Sequence, residues 1–288
     1  MENIGDTFTK GWKNLSRNPI LFAPVVILAL ISFVLAIVWS VSFVVFLEAG
    51  NLLYIGASFL IFLIAVILLS CYLTAGWIGM AKEAIAFGST NFSDMFKYGN
   101  KFAIRMLLST ILMIILELVA VIFWIPLIYV YLNSGYTLEG IVDSMVNNPD
   151  AFLSIILSFA VPLLIGFLLT FIYSVILTVL FYFVSYAIVV DDISVIGAYK
   201  KSYAVLKQNF WNVLVFIILI WAITVVVTTV FQVLSIVGVL SFWLTLIISI
   251  VQMIVTLFLS VAVTVWTTRF YMSATDHPLY EEEKLTDY

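Results

Sequence analysis

The chain predicts an all-α, polytopic membrane helix bundle, on three observations. Hydrophobic residues make up 65% of its 288 positions and charged ones 10%, with a mean hydropathy of +1.23. A soluble domain carries nearer a quarter charged residues and could not cover this much apolar side chain, so lipid is the expected solvent. Six apolar runs are long enough to cross a bilayer, and all twelve Lys and Arg fall on one side of the topology they define.

A helix needs about 20 apolar residues to cross ~30 Å of hydrocarbon. The runs are roughly Ile20–Phe46, Leu52–Met80, Ala103–Leu132, Ala151–Val190, Phe210–Val237 and Ser241–Tyr271. The fourth is 40 residues long. Its only turn signals are Pro162 and Gly166, and charge parity forbids an extra crossing. It is predicted as one helix, kinked or broken near Pro162, with one end outside the bilayer.

Charge sets orientation. Lys10, Lys13 and Arg17 precede span 1; Lys82, Lys97, Lys101 and Arg105 lie between spans 2 and 3. Lys200, Lys201 and Lys207 lie between spans 4 and 5, and Arg269 and Lys284 close the chain. The other side carries Glu48, Glu139, Asp143 and Asp150. Short cationic loops stay in the cytoplasm, so both termini are expected there, in a cell-membrane protein with no cleaved signal peptide. Two outer loops, Glu48–Asn51 and Ser235–Ser241, are minimal. In the third, Leu138, Ile141, Val142, Met145 and Val146 mark a short helix on the outer leaflet. Thr137 is expected to cap it, and Asn148-Pro149 to end it.

The basic segments read as amphipathic helices in the headgroup plane, running into spans 1, 3 and 5. The apolar faces are Ile4/Phe8/Trp12/Leu15, then Phe92/Met95/Phe96/Phe102 behind a capping Asn91, then Ile196/Tyr199/Tyr203/Leu206/Phe210. The first and third overlay: Phe8 on Tyr199, Lys10 on Lys201, Trp12 on Tyr203, Leu15 on Leu206, Asn18 on Asn209. The second fits less well. The single membrane domain is therefore predicted as three parallel units, each an interfacial helix plus two spans, at about 1–88, 89–192 and 193–275. An acidic tail, 276–288, is expected to be solvated. Trp12, Trp39, Trp77, Trp124, Trp211 and Trp266 read as interfacial anchors.

The segment YAIVVDDISVIGAYKKSYAVLKQNFWNVLVF (186–216) reads as a signature: a span ending in an acidic pair, an amphipathic helix, then Leu-Lys-x-Asn-aromatic. It resembles the membrane domain attached to some glycerophosphodiester phosphodiesterases, and a group of uncharacterised six-span prokaryotic membrane proteins. FGSTNFSDMFKYGNKF (87–102) and TRFYMSATD (268–276) extend the likeness more weakly. In those phosphodiesterases catalysis lies in a separate barrel domain. The resemblance thus implies the membrane part without the hydrolase.

Few residues suggest chemistry. Glu117 is an ionisable group deep in span 3, with Thr110 at i−7. A charge there costs about 2.5–3.5 kcal/mol on insertion scales, so it should face protein or water. It reads as a proton or cation site, or as a neutral acid bonded to a neighbouring helix. Span 6 carries a polar stripe, Thr245, Ser249, Gln252, Thr256, Ser260, Thr264 and Thr267; span 5 offers Thr224, Thr228, Gln232 and Ser235. It could line a path, or let helices approach and hydrogen-bond. Asp191 and Asp192 are expected to cap the helix after span 4. His277 has no ligating partner in sequence, and Cys71 reads as a small packing residue. No catalytic set, metal site, cofactor or nucleic-acid surface is expected.

Two functions follow as expectations. The first is a non-catalytic membrane protein organising lipid or partner proteins, with headgroup contacts at Lys10, Lys13, Arg17, Lys97, Lys101, Arg105, Lys200, Lys201 and Lys207. The alternative is a transporter or channel using Glu117, Thr228, Gln232, Gln252 and Thr256.

Overall fold

A computed structural model describes residues 1–48, 50–238 and 241–280. Eleven α-helices are found among them: α1 Ile4–Arg17, α2 Ala23–Glu48, α3 Leu52–Phe87, α4 Phe92–Leu118, α5 Ile125–Asn133, α6 Leu138–Asn147, α7 Pro149–Phe181, α8 Val184–Val190, α9 Val195–Gln208, α10 Phe210–Gly238 and α11 Phe242–Ala274. No strand occurs among the described residues. Six stretches are long and apolar enough to cross a membrane: Pro19–Glu48, Leu53–Phe87, Phe92–Asn133, Asp150–Val190, Phe210–Ile236 and Phe242–Ala274. The chain is an all-α, multi-pass membrane protein. The acidic run from Glu281 and Lys284 lie outside the described residues.

The chain divides into two compact units, Met1–Ser109 with Phe183–Tyr288, and Thr110–Tyr182. In the first, the hairpins α2–α3 and α10–α11 meet α1, α8 and α9. Its core is concentrated in particular stretches: Leu73 to Ile85 of α3, Val184 and Ala187 to Val190 of α8, Val213 to Ile220 of α10 and Val261 to Ser273 of α11 hold most of the buried residues. An aromatic stack fills it. Phe270 lies between Phe216 and Phe183, with ring centroids 4.2 and 5.7 Å away, and Phe8 reaches Phe216 and Trp266. Gly11 admits this packing, because a Cβ there would stand 2.6 Å from the Trp266 ring.

In the second unit α7 packs against α5, α6 and a 3-10 segment, Val119–Trp124. Gly166 permits the close approach: a Cβ would meet the Phe123 carbonyl at 3.2 Å. Thr137 and Asn148 cap α6 and α7 through Gly140 and Ala151 amides, at 3.1 Å each. Asn91 likewise caps α4, accepting from the Ser93 amide at 2.9 Å, and Asp94 returns a bond to the Asn91 amide.

Several expectations need correction. The fourth run does not break at Pro162, which α7 carries internally. It breaks at Tyr182-Phe183, where the Phe183 amide donates to Ser202 Oγ at 3.2 Å instead of continuing the helix. An external acceptor is what lets a helix open. The third run is interrupted by the 3-10 segment, followed by Pro126, which cannot donate to a preceding carbonyl. The amphipathic segment before span 3 does run into it as expected, since α4 is unbroken from Phe92.

The amphipathic helices also rotate relative to expectation. On α1 the buried residues are Thr7, Gly11, Asn14 and Leu15; on α9 they are Ala198, Tyr199, Ser202, Val205 and Leu206. Small and polar residues face protein, while Trp12 and Tyr203 are exposed. The overlay of Phe8 on Tyr199 places Thr7, Gly11, Asn14 and Leu15 on Ala198, Ser202, Val205 and Leu206. Asn18 and Asn209 both close their helices.

Candidate functional site

Charges in the first unit are mostly matched. Asp192 adopts a left-handed conformation at φ 54°. Its carboxylate accepts from Lys101 and Arg105 at 2.7 Å each. Those two hydrogen bonds hold it below the usual carboxylate range. Asp191 accepts from the Tyr271 hydroxyl at 2.6 Å and lies 2.5 Å from His277 Nε2. The acidic pair therefore does not cap α9; Ser194 does, accepting from the Gly197 amide. The left-handed turn aims one carboxylate at α4 and leaves the other to α11 and the segment after it. No group of three metal-ligating side chains occurs among the described residues.

Glu2 and Arg269 form the most buried pair. Arg269 is 1% exposed and donates twice to Glu2, at 2.9 and 2.7 Å, with Lys10 at 3.2 Å from the same carboxylate. Burial opposes ionisation of Glu2, but Arg269 and Lys10 together outweigh it and hold the carboxyl low. Nothing in the local sequence marks this pair, because its members are at opposite ends of the chain.

The predicted headgroup cations thus differ in their surroundings. Lys10, Lys97, Lys101 and Arg105 are bound to Glu2, Glu83 and Asp192. Lys200, Lys201 and Lys207 on α9 have no ion pair among the described residues. Ile196, Lys200, Tyr203 and Lys207 are all exposed, spaced 4, 3 and 4 along one stripe of α9 opposite its buried face, and Phe210, also exposed, begins α10. Trp211 beside them is 73% exposed. Of the expected tryptophan anchors, Trp12 and Trp211 are exposed. Trp39 instead stacks on Phe62, and Trp266 donates to the Phe8 carbonyl.

Glu117 belongs to the second unit, one residue before the end of α4. Ser174 Oγ donates to its Oε2 at 2.9 Å, and Tyr173 donates to the neighbouring Leu116 carbonyl at 2.8 Å. Beside it is a cavity of about 430 Å³ whose lining includes Thr110, Glu117, Trp124 and Thr170. Sequence reasoning missed Thr170 and Ser174, although two hydroxyls at i and i+4 in span 4 were a signal.

Thr228, Gln232, Gln252 and Thr256 belong to the first unit. Thr228, Gln232 and Thr256 are exposed and Gln252 is half-buried. Hydroxyls on these spans bond to their own helix: Thr224 to Ile220, Thr228 to Thr224, Ser260 to Thr256, Thr264 to Ser260. Such back-bonding satisfies the hydroxyl without a neighbouring helix.

A family model described as a domain of unknown function (DUF7847) matches residues 3–274. The chain belongs to that family. The match covers every helix from α1 to α11, so both units are parts of the family's common domain. No curated protein and no solved structure matches the chain.

Proposed function

We propose that this protein is a non-catalytic component of the cell membrane that organises anionic lipid at its cytoplasmic face, with both termini on that side. The observation that carries the reading is the exposed α9 stripe of Ile196, Lys200, Tyr203 and Lys207. Ammonium groups alternating with apolar side chains suit the headgroup boundary, where each cation near an anionic surface contributes about 1 kcal/mol. The buried opposite face holds the stripe in place without spending its lysines on internal ion pairs. The one-sided distribution of Lys and Arg supports the orientation.

The resemblance to the membrane domain of some glycerophosphodiester phosphodiesterases supports a role without catalysis in this domain. The shared offset between the buried faces of α1 and α9 supports reading them as copies of one repeated interfacial unit.

The test is native mass spectrometry of the purified protein in mixed phosphatidylglycerol and phosphatidylcholine. The wild type should retain phosphatidylglycerol preferentially. K200E/K207E should lose most of that preference while keeping its thermal unfolding midpoint. Equal retention of both lipids by the wild type, or an unchanged preference in the variant, contradicts the proposal.

A further inference from the structure

We infer that the Glu117 cavity is a binding site for an amphiphilic organic ammonium ion. Four observations meet there. First, the helix breaks inside a candidate span, in the 3-10 segment Val119–Trp124 that begins two residues after Glu117. Irregular backbone at membrane depth persists where it is buried in protein or lines a cavity, and transporter-like sites use such breaks. Second, the space of about 430 Å³ is an open groove of small-molecule size, lined largely by apolar groups: Met113 and Trp124, with the exposed Ile114, Leu118 and Val121 at its rim.

Third, Thr170 Oγ1 is buried and has no hydrogen-bond partner among the described residues. A threonine in a helix ordinarily donates to the carbonyl four residues back. Thr224, Thr228, Thr264 and Thr268 all do so here, whereas Thr170, like Thr267, does not. The Thr170 hydroxyl is closed to solvent in this rotamer and meets a ligand only by rotating about χ1. Fourth, residues 110–182 contain no Lys, Arg or His, so this unit supplies no positive charge to answer the Glu117 carboxylate. An intramembrane carboxylate normally finds a partner charge.

The chemistry of the lining selects the class. A hard metal cation wants six or more oxygens, which one carboxylate and the hydroxyls of Thr110 and Thr170 do not supply. An ammonium group needs two or three acceptors, an aromatic face such as Trp124 adds cation–π attraction, and an apolar body fills the remaining volume. A second cavity of the same unit, also about 430 Å³, is lined by Leu127, Ile128, Tyr131, Ile141, Phe159 and Leu163. It has no carboxylate and serves as an internal control for hydrophobic partition.

The experiment uses the full chain in zwitterionic nanodiscs, with dansylcadaverine, a fluorescent primary amine, as the probe. Its emission should rise saturably above that of empty nanodiscs. N-acetylation of the amine, which removes the charge and keeps the body, should weaken binding about tenfold or more, and so should Glu117→Gln. Thr170→Leu, which fills the cavity and leaves the carboxylate in place, should do the same. Thermal unfolding of each variant reports its folding, and a misfolded Gln variant leaves the acetylated probe and the Leu variant to decide. Absence of saturable binding, or equal binding of the acetylated probe, overturns the inference and leaves Glu117 as a carboxyl group bonded to Ser174.

Discussion

The two units treat charge in opposite ways. In the first, acids and bases from distant parts of the chain are matched: Glu2 with Arg269 and Lys10, Glu83 with Lys97, Asp192 with Lys101 and Arg105. The second has four acids and no base. Aromatic rings pair in both units, but the fully buried ones, Phe183, Phe216 and Phe270, stack in the first. In the second, Ala120, Ile155 and Leu177 are the buried apolar side chains among the described residues. The lesson is that matched charge and dense packing hold one unit together, whereas unmatched charge and open packing leave the other with a cavity.

The largest effect should break the first unit. Arg269→Met leaves the Glu2 carboxylate with Lys10 alone and should cost about 3 kcal/mol, the low end for a broken buried pair, read as a lower thermal unfolding midpoint in detergent. Adding Glu2→Gln should recover much of the loss. Recovery would show that the cost lies in the carboxylate left behind, not in the guanidinium's packing.

Gly76→Ala comes next, at about 1–3 kcal/mol, because the new Cβ would stand 2.6 Å from the Met95 carbonyl oxygen, a backbone atom that cannot swing away. Asp192→Val forces a β-branched residue to φ 54° and should cost about 1–2 kcal/mol by the same measurement. Asp192→Asn should cost less, since Asn tolerates that conformation.

Acid should act on the same unit. Glu2 and Asp192 titrate below the ordinary carboxylate range in the folded protein. Their contribution is therefore fully present above the unfolded value, near 4, and is lost as pH falls through the folded value. The unfolding midpoint should drop on acidification below about pH 4, and drop less steeply in Asp192→Asn. A midpoint that rises with acid would reverse the sign. The smallest effect is expected in the second unit: Glu117→Gln should leave stability unchanged or slightly raised, because it removes a charge that no base of that unit stabilises.

Much of the architecture was legible in the sequence because lipid imposes a simple rule on length and polarity. Each of the six runs overlaps one of the six stretches long enough to span, and the caps at Asn91, Thr137 and Asn148 followed from local chemistry. What stayed hidden depends on distant partners. The break at Tyr182-Phe183 is stabilised by Ser202, and the roles of Asp191 and Asp192 by Tyr271, His277, Lys101 and Arg105. Periodicity marked an apolar face on α1 and α9 but not which face meets protein, since Thr7, Gly11 and Ser202 bury through close packing instead of hydrophobicity. Glu117 stood out at once as an acid in oil; its cavity depends on Thr170 and Trp124, which no pattern tied to it.

Orientation underlies the proposed role, and cysteine labelling tests it most directly. Trp12 and Asp143 are both exposed, so reactivity there reports the side of the membrane and not burial. In a Cys71→Ala background, Asp143→Cys should react with a membrane-impermeant maleimide in intact cells, and Trp12→Cys only after permeabilisation. Labelling of position 12 in intact cells, with position 143 protected, would contradict the account.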